Sequence, residues 1–288
     1  MIAFSWYGGK DRLAKRLAAL LPLRRERPVL VEVFGGSAAL TLSLTPPWPC
    51  EVVNDLDDGV VGFYRVLRDH RDELVRRLTL TPYSRAEWRE CSATRAAERD
   101  PIERARRWYV VAMQSFSGAF GEGWSHSTTS PDGFAAHPWA VHVNALDAVA
   151  ERLRRVQLEC RPWADVLDAY DGPDTVFYLD PPYHPDARTR KAKRYRVDMV
   201  DPVEHDRMLA RVKTLQGACF VSGYACNAYD QALSDWRRVA WERPAFSRGN
   251  TRKIRQNPDN DAAARRRTEV LWISPNAQAR QMGLGGVA

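Results

Sequence analysis

The chain has 288 residues, 44% of them hydrophobic, with 43 basic against 36 acidic side chains and a formal net charge of +7. That composition suits one soluble, enzyme-sized globular unit, and no apolar run approaches the roughly 20 residues that a membrane span needs. The N-terminal stretch lacks the basic-then-apolar layout of a signal peptide, so a cytoplasmic protein is expected, and five scattered cysteines without a C-x-x-C pair argue against a disulfide framework or a zinc site.

Excess positive charge favours an acidic partner such as nucleic acid. Only six of the 43 basic residues are lysine, however, and an arginine bias of that kind also follows from a GC-rich genome. Taken in chain order, Leu13, Leu17, Ala18, Leu20 and Leu21 repeat at helical spacing, predicting an amphipathic helix from about Asp11, with Gly8-Gly9-Lys10 at its N-terminal end. Val29 to Phe34 form a β-branched apolar run, followed by Gly35-Gly36-Ser37 and a helical segment from Ala38. Glu51 to Asp55 read as a second strand ending in an acid, and Val60, Val61, Tyr64, Leu67, Leu74, Val75 and Leu78 mark helices after it. Strand, glycine turn, helix and strand again imply a mainly parallel α/β sheet.

Over residues 84–150 the pattern becomes helical. Asp100-Pro101-Ile102-Glu103 has the form of a capped helix start, and Leu146, Val149, Leu153 and Val156 mark another helix. Between them, residues 117–129 are rich in glycine, serine and aromatics, which suits a hairpin or surface loop. The region reads as an insertion, residues 84–150, into a core built from 1–83 and 151–288. The core pattern resumes with a strand over Thr175 to Asp180, a helix over Glu204 to Leu215, a strand over Ala218 to Ser222 and a helix near Tyr229 to Leu233. Residues 247–267 are polar and basic and read as a long loop before a last strand, Thr268 to Ser274.

Two motifs carry chemistry. Asp55 lies 20 residues after Gly35, and an acid at that place can accept both ribose hydroxyl hydrogens of a nucleoside-like ligand that the glycine turn lets the backbone approach. The same glycines also serve simply to turn a chain. The second motif is more specific. Asp180-Pro181-Pro182-Tyr183 ends an apolar strand with an acid, two prolines and a ring. An exocyclic base amine is a poor nucleophile because its lone pair is delocalised. Two acceptors, Asp180 and the carbonyl of Pro181, can hold its hydrogens and favour a tetrahedral nitrogen, while consecutive prolines fix the direction of that carbonyl. Tyr183 can stack on the base.

The segments FSWYGGKDRLAKRLAALLP, VEVFGGSAALTLSL, EVVNDLDDGVVGFYRVLRDH, VFYLDPPYH, DMVDPVEHDRML, CFVSGYACNAYDQAL and TEVLWISP, in this order, resemble the motifs of Dam-type adenine-N6 DNA methyltransferases. The resemblance implies a Rossmann-like, S-adenosylmethionine-dependent methyltransferase fold: α/β, with a mainly parallel sheet, an antiparallel last strand and a mostly helical target-recognition insertion. It implies that Trp6, Gly8, Gly9 and Lys10, then Phe34, Gly35 and Gly36, and then Asp55 line the cofactor site. Asp165, in Pro162-Trp163-Ala164-Asp165, matches the acid near the cofactor's adenine, and Asp180, Pro181, Pro182 and Tyr183 match the catalytic motif. Ala38 departs from the family by replacing a frequent glycine.

The partner so implied is double-stranded DNA, bound by a monomer or by a dimer formed on the DNA. Arg188, Arg190, Lys191, Lys193 and Arg194 follow the catalytic motif and are expected to grip phosphates beside an extruded adenine. His137 and His142 have no ligand-like neighbours in sequence, so no metal is expected. Aspartate before the prolines favours adenine over cytosine N4. RNA adenine methylation and a non-catalytic DNA-binding regulator are the other readings.

Overall fold

The computed structural model describes residues 2–6, 8–116, 123–126, 136–187, 197–244 and 266–277. Seven strands form one sheet: β1 (Val29–Glu32), β2 (Cys50–Asn54), β3 (Val156–Glu159), β4 (Thr175–Leu179), β5 (Ala218–Tyr224), β6 (Arg237–Pro244) and β7 (Arg266–Ile273). Their spatial order is β3-β2-β1-β4-β5-β7-β6. The first five run parallel, and β7 lies antiparallel to both β5 and β6. The mixed α/β sheet with an antiparallel last strand is therefore as expected.

The central strand β4 is buried at every position, which explains why Thr175 to Leu179 carries no alternation. Val176 and Tyr178 pack on one face with Leu17 of α1 (Ala14–Ala18) and Leu40 of α2 (Ala39–Ser43). Phe177 and Leu179 pack on the other, against Val166 and Leu167 from Trp163–Tyr170, Met208 and Leu209 from Pro202–Val212, and Tyr229 from Asn227–Ala232. Burying a side chain such as Phe177 completely contributes roughly 1.5–3 kcal/mol.

Beyond β2 come α3 (Asp58–Asp69), α4 (Arg71–Leu80), α5 (Arg85–Thr94), α6 (Pro101–Gln114) and α7 (Ala136–Leu153). The capping reading at Asp100 holds: its carboxylate accepts from the Ile102 amide, with Pro101 in the first turn. Glu103 instead receives Arg106 and Arg107, and Arg106 also reaches Glu87 on α5. An aromatic cluster joins α3 and α6 to the N-terminal segment. Phe4 meets Trp108 edge-on with centroids 4.9 Å apart, Phe63 stacks on Tyr109 at 5.0 Å, and the Tyr109 hydroxyl donates to the Ala3 carbonyl. This cluster anchors the segment that carries Trp6 to Lys10.

Within the glycine-rich stretch, Ser115 pairs antiparallel with Trp124, a hairpin stem, while residues 117–122 and 127–135 lie outside those described. Four local expectations change. Val156, taken as a helix position, opens β3: the helix ends at Leu153, and the valine faces the same core from the next element. Asp165 stands in the first turn of α8 (Trp163–Tyr170), not in a loop. Strand β6 went unread because it is a sheet edge written RRVAWERP, whose Val239 and Trp241 pack inward between arginines. Of the expected loop 247–267, residues 247–265 lie outside the described residues and Arg266 and Arg267 belong to β7. The two remaining helices are α9 (Pro202–Val212), capped by Asp201, and α10 (Asn227–Ala232).

Candidate active site

Strand order reverses between β1 and β4, and a cavity of about 410 Å³ lies there over the carboxyl ends of the strands. It gathers Trp6, Gly8, Gly9, Lys10, Phe34, Gly35, Gly36, Asp55, Asp180, Pro181, Pro182 and Tyr183 on one lining. Asp165 is exposed on α8 and outside that lining, although Arg161 and Trp163 just before it belong to the wall. Arg188, Arg190, Lys191, Lys193 and Arg194 lie outside the described residues.

At one end, the glycine turn is set by close approach. A Cβ on Gly35 would stand 2.6 Å from Val53 Cγ1, and one on Gly36, whose φ is +47°, would stand 2.7 Å from the Trp6 indole. Asp55 braces this turn by accepting the Gly36 and Asp57 amides at 2.8 Å each. Asp55 also lines the cavity beside this turn. Ala38 takes a left-handed conformation, with φ 49°, at the start of α2, and its methyl is fully buried in the aromatic cluster.

At the other end, Asp180 follows β4 directly. Its Oδ1 accepts from Ser222 Oγ at 2.8 Å and from Lys10 Nζ at 2.7 Å, and its Oδ2 accepts from Lys10 at 2.9 Å. Ser222 is backed in turn by the Tyr178 hydroxyl at 2.9 Å. Lys10 also reaches the Gly8 carbonyl, the Tyr183 hydroxyl at 3.3 Å and Glu269 Oε1 at 3.0 Å. Burial works against charge on Lys10, but Asp180, then Glu269, Tyr183 and Tyr178 outweigh it and hold the ammonium well above the ordinary lysine range. Tyr183 is itself almost covered, with its ring stacked on Tyr224 at a centroid distance of 4.0 Å.

Also on the cavity lining, Glu32 accepts the Thr41 amide and hydroxyl at 3.1 and 2.6 Å. Burial raises its carboxyl to about 7, against the Thr41 hydrogen bonds, with Asp180 adding to the rise. The folded state thus favours the protonated acid, so its contribution to stability is whole below pH 4.5 and declines as pH rises through 7. A shift of that size corresponds to about 3 kcal/mol. Urea unfolding of Glu32→Gln should show the variant gaining about that much relative to wild type between pH 4.5 and 8. A pH-independent difference would refute the assignment.

Residues 6–243 match the family model described as D12 class N6 adenine-specific DNA methyltransferase. The chain belongs to this family. As a D12-class methyltransferase it is an enzyme that methylates adenine N6 in DNA. It is 27% identical over 201 residues to the Type II methyltransferase M1.LlaDCHI of Lactococcus lactis subsp. cremoris, covering 66% of this chain and 68% of that protein. It is also 20% identical over 207 residues to the Type II methyltransferase M.MjaIII of Methanocaldococcus jannaschii, covering 66% and 71%.

Several residues in or behind the lining of this methyltransferase's cavity escaped the sequence reading. Glu269 and Ser222 meet Lys10 and Asp180 from β7 and β5. A charged residue heading the apolar run Val270 to Ile273 was the available signal for Glu269. Met199, Val200 and Asp201 belong to the cavity wall, as does Glu204, which accepts from Trp163 Nε1 at 2.8 Å. No group of His, Cys, Asp and Glu among the described residues is arranged to hold a metal ion.

Proposed function

We propose that the cavity binds S-adenosylmethionine at its Asp55 end and an extruded adenine at its Asp180 end. The observation that carries this reading is that a single cavity joins a braced glycine turn and ribose-type acid to the Asp-Pro-Pro-Tyr strand end. The residues fit such a cofactor. The volume falls within the ~300–1,000 Å³ usual for ligand sites. Trp6, Phe34 and Trp163 supply apolar walls, and Asp55, Asp57, Asp180, Asp201 and Glu204 outnumber Lys10 and Arg161, which suits a cationic sulfonium.

Asp55 would hold the ribose hydroxyls, with Gly35 and Gly36 admitting the cofactor close to the backbone. When bound, S-adenosylmethionine supplies the electrophilic methyl group. Asp180 Oδ2 and the Pro181 carbonyl take the two hydrogens of adenine N6 and aim its lone pair at that methyl. Ser222 and Lys10 keep the Asp180 carboxylate from turning, and the surplus proton leaves the amine once it is methylated. Tyr183, backed by Tyr224, forms the aromatic wall against which the base lies, where stacking returns roughly 1–3 kcal/mol of the few spent on extrusion. Asp165 remains a candidate for the cofactor's adenine only if its helix turns inward on binding.

Calorimetric titration tests the cofactor end. Asp55→Ala should weaken S-adenosylmethionine about 10- to 100-fold, the worth of charge-assisted hydrogen bonds of roughly 1.5–3 kcal/mol. Unchanged affinity would remove Asp55 from this role.

Residues 84–150 are proposed to read the target site, and Arg188, Arg190, Lys191, Lys193 and Arg194 to hold phosphates next to it. If all five contact phosphate, replacing them with serine should flatten the dependence of log affinity on log salt by about 4–5. An unaltered slope would place these residues off the DNA. Cytoplasmic DNA is the proposed substrate. Among the described residues, no helix is long and apolar enough to cross a membrane.

A further inference from the structure

Glu269 lies on β7, the antiparallel strand beside β5, and is only 1% exposed. A carboxylate so deeply buried is costly unless charge compensates it. Its compensation is Lys10, at 3.0 Å, the same ammonium that binds both oxygens of Asp180. The hydrogen bonds of Lys10 go to the Gly8 carbonyl, to both Asp180 oxygens and to the Tyr183 hydroxyl, while Glu269 pairs with the same ammonium by charge. The ammonium is therefore shared between two carboxylates, one at the end of the central strand β4 and one on β7, the strand beyond β5.

We propose that Glu269 is a positioning residue for methyl transfer, acting as the second seat of the Lys10 ammonium so that Asp180 keeps its acceptor strength toward the target amine. The proposal rests on the reading of Asp180 given above. An ammonium paired with Asp180 alone would neutralise that carboxylate and compete with adenine N6 for its oxygens. With Glu269 present, the trio of Asp180, Glu269 and Lys10 carries a net negative charge. Asp180 can then release part of Lys10 to Glu269 as the amine arrives, with no proton moved. The groups facing Lys10 come from every element around it: Asp180 and Tyr178 at β4, Tyr183 after β4, and Glu269 on β7. The direction of the Lys10 shift agrees, since Glu269 ranks next to Asp180 among the charges that favour the ammonium.

The test uses the full-length protein, S-adenosylmethionine and duplex DNA carrying its methylation site, with Asp180→Ala as the control. Glu269→Gln keeps the shape and removes the charge. It should lower the single-turnover methylation rate about 10- to 100-fold while changing KM for S-adenosylmethionine less than about threefold. Glu269→Asp, which retains the charge on a shorter arm, should recover to within about threefold of wild type. A role confined to packing predicts instead that both variants lose rate in step with thermal stability. A Glu269→Gln rate within threefold of wild type, or a Glu269→Asp as slow as Glu269→Gln, overturns the proposal. An active Asp180→Ala would overturn the reading of Asp180 itself, whereas a dead Asp180→Ala beside a fully active Glu269→Gln would refute only the role of Glu269.

Discussion

Asp180→Ala is expected to lower methyl transfer by about three orders of magnitude or more while leaving the protein folded and able to bind S-adenosylmethionine. The size follows from the roughly 10²- to 10⁴-fold that a positioned acid–base group contributes, placed here at the reacting nitrogen itself. The fold should survive because Lys10 retains Glu269 as partner at 3.0 Å, so the substitution leaves no buried charge alone. Ser222 and the Tyr178 hydroxyl also keep their bond to each other. Single-turnover assay and cofactor titration of the same preparation separate the two effects. Activity within tenfold of wild type would mean that Asp180 does not hold the amine.

Lys10→Met should behave in the opposite way, as a failure of stability as well as of rate. It strands the fully buried Glu269 and the partly buried Asp180 around one apolar side chain. Breaking a buried ion pair from one side typically costs about 3–5 kcal/mol. In the wild type, Lys10 is held charged well above the ordinary lysine range, so its contribution is whole below pH 10.5 and is lost only at still higher pH. Urea unfolding of both proteins at pH 8 checks this. A loss under about 1 kcal/mol would show that the trio contributes little to the fold.

The chemistry was more legible than its support. Asp180 to Tyr183 are adjacent in sequence, and the strand before them is apolar on both faces, so motif and setting could be read together. The glycine turn and Asp55 were legible for a similar reason: both end parallel strands that pair in register, Val31 beside Val52. Glu269 and Ser222 were not. Ser222 reaches Asp180 because β5 pairs parallel beside β4, and Glu269 reaches Lys10 because β7 pairs antiparallel beyond β5; nothing local in either strand names its partner. Lys10 was matched to the cofactor pocket by its motif. Its ammonium sits on Asp180 because the aromatic cluster around Phe4 and Trp108 anchors the N-terminal segment. Strand β6 and the start of β3 were hidden by arginines at an edge and by a valine that happened to continue a helical spacing.

The most direct test of the account is nucleoside mass spectrometry of duplex DNA incubated with the protein and S-adenosylmethionine, run beside Asp180→Ala. The account predicts N6-methyldeoxyadenosine with the wild type and none with the variant. N4-methyldeoxycytidine in its place, or equal N6-methyldeoxyadenosine from both proteins, would contradict it.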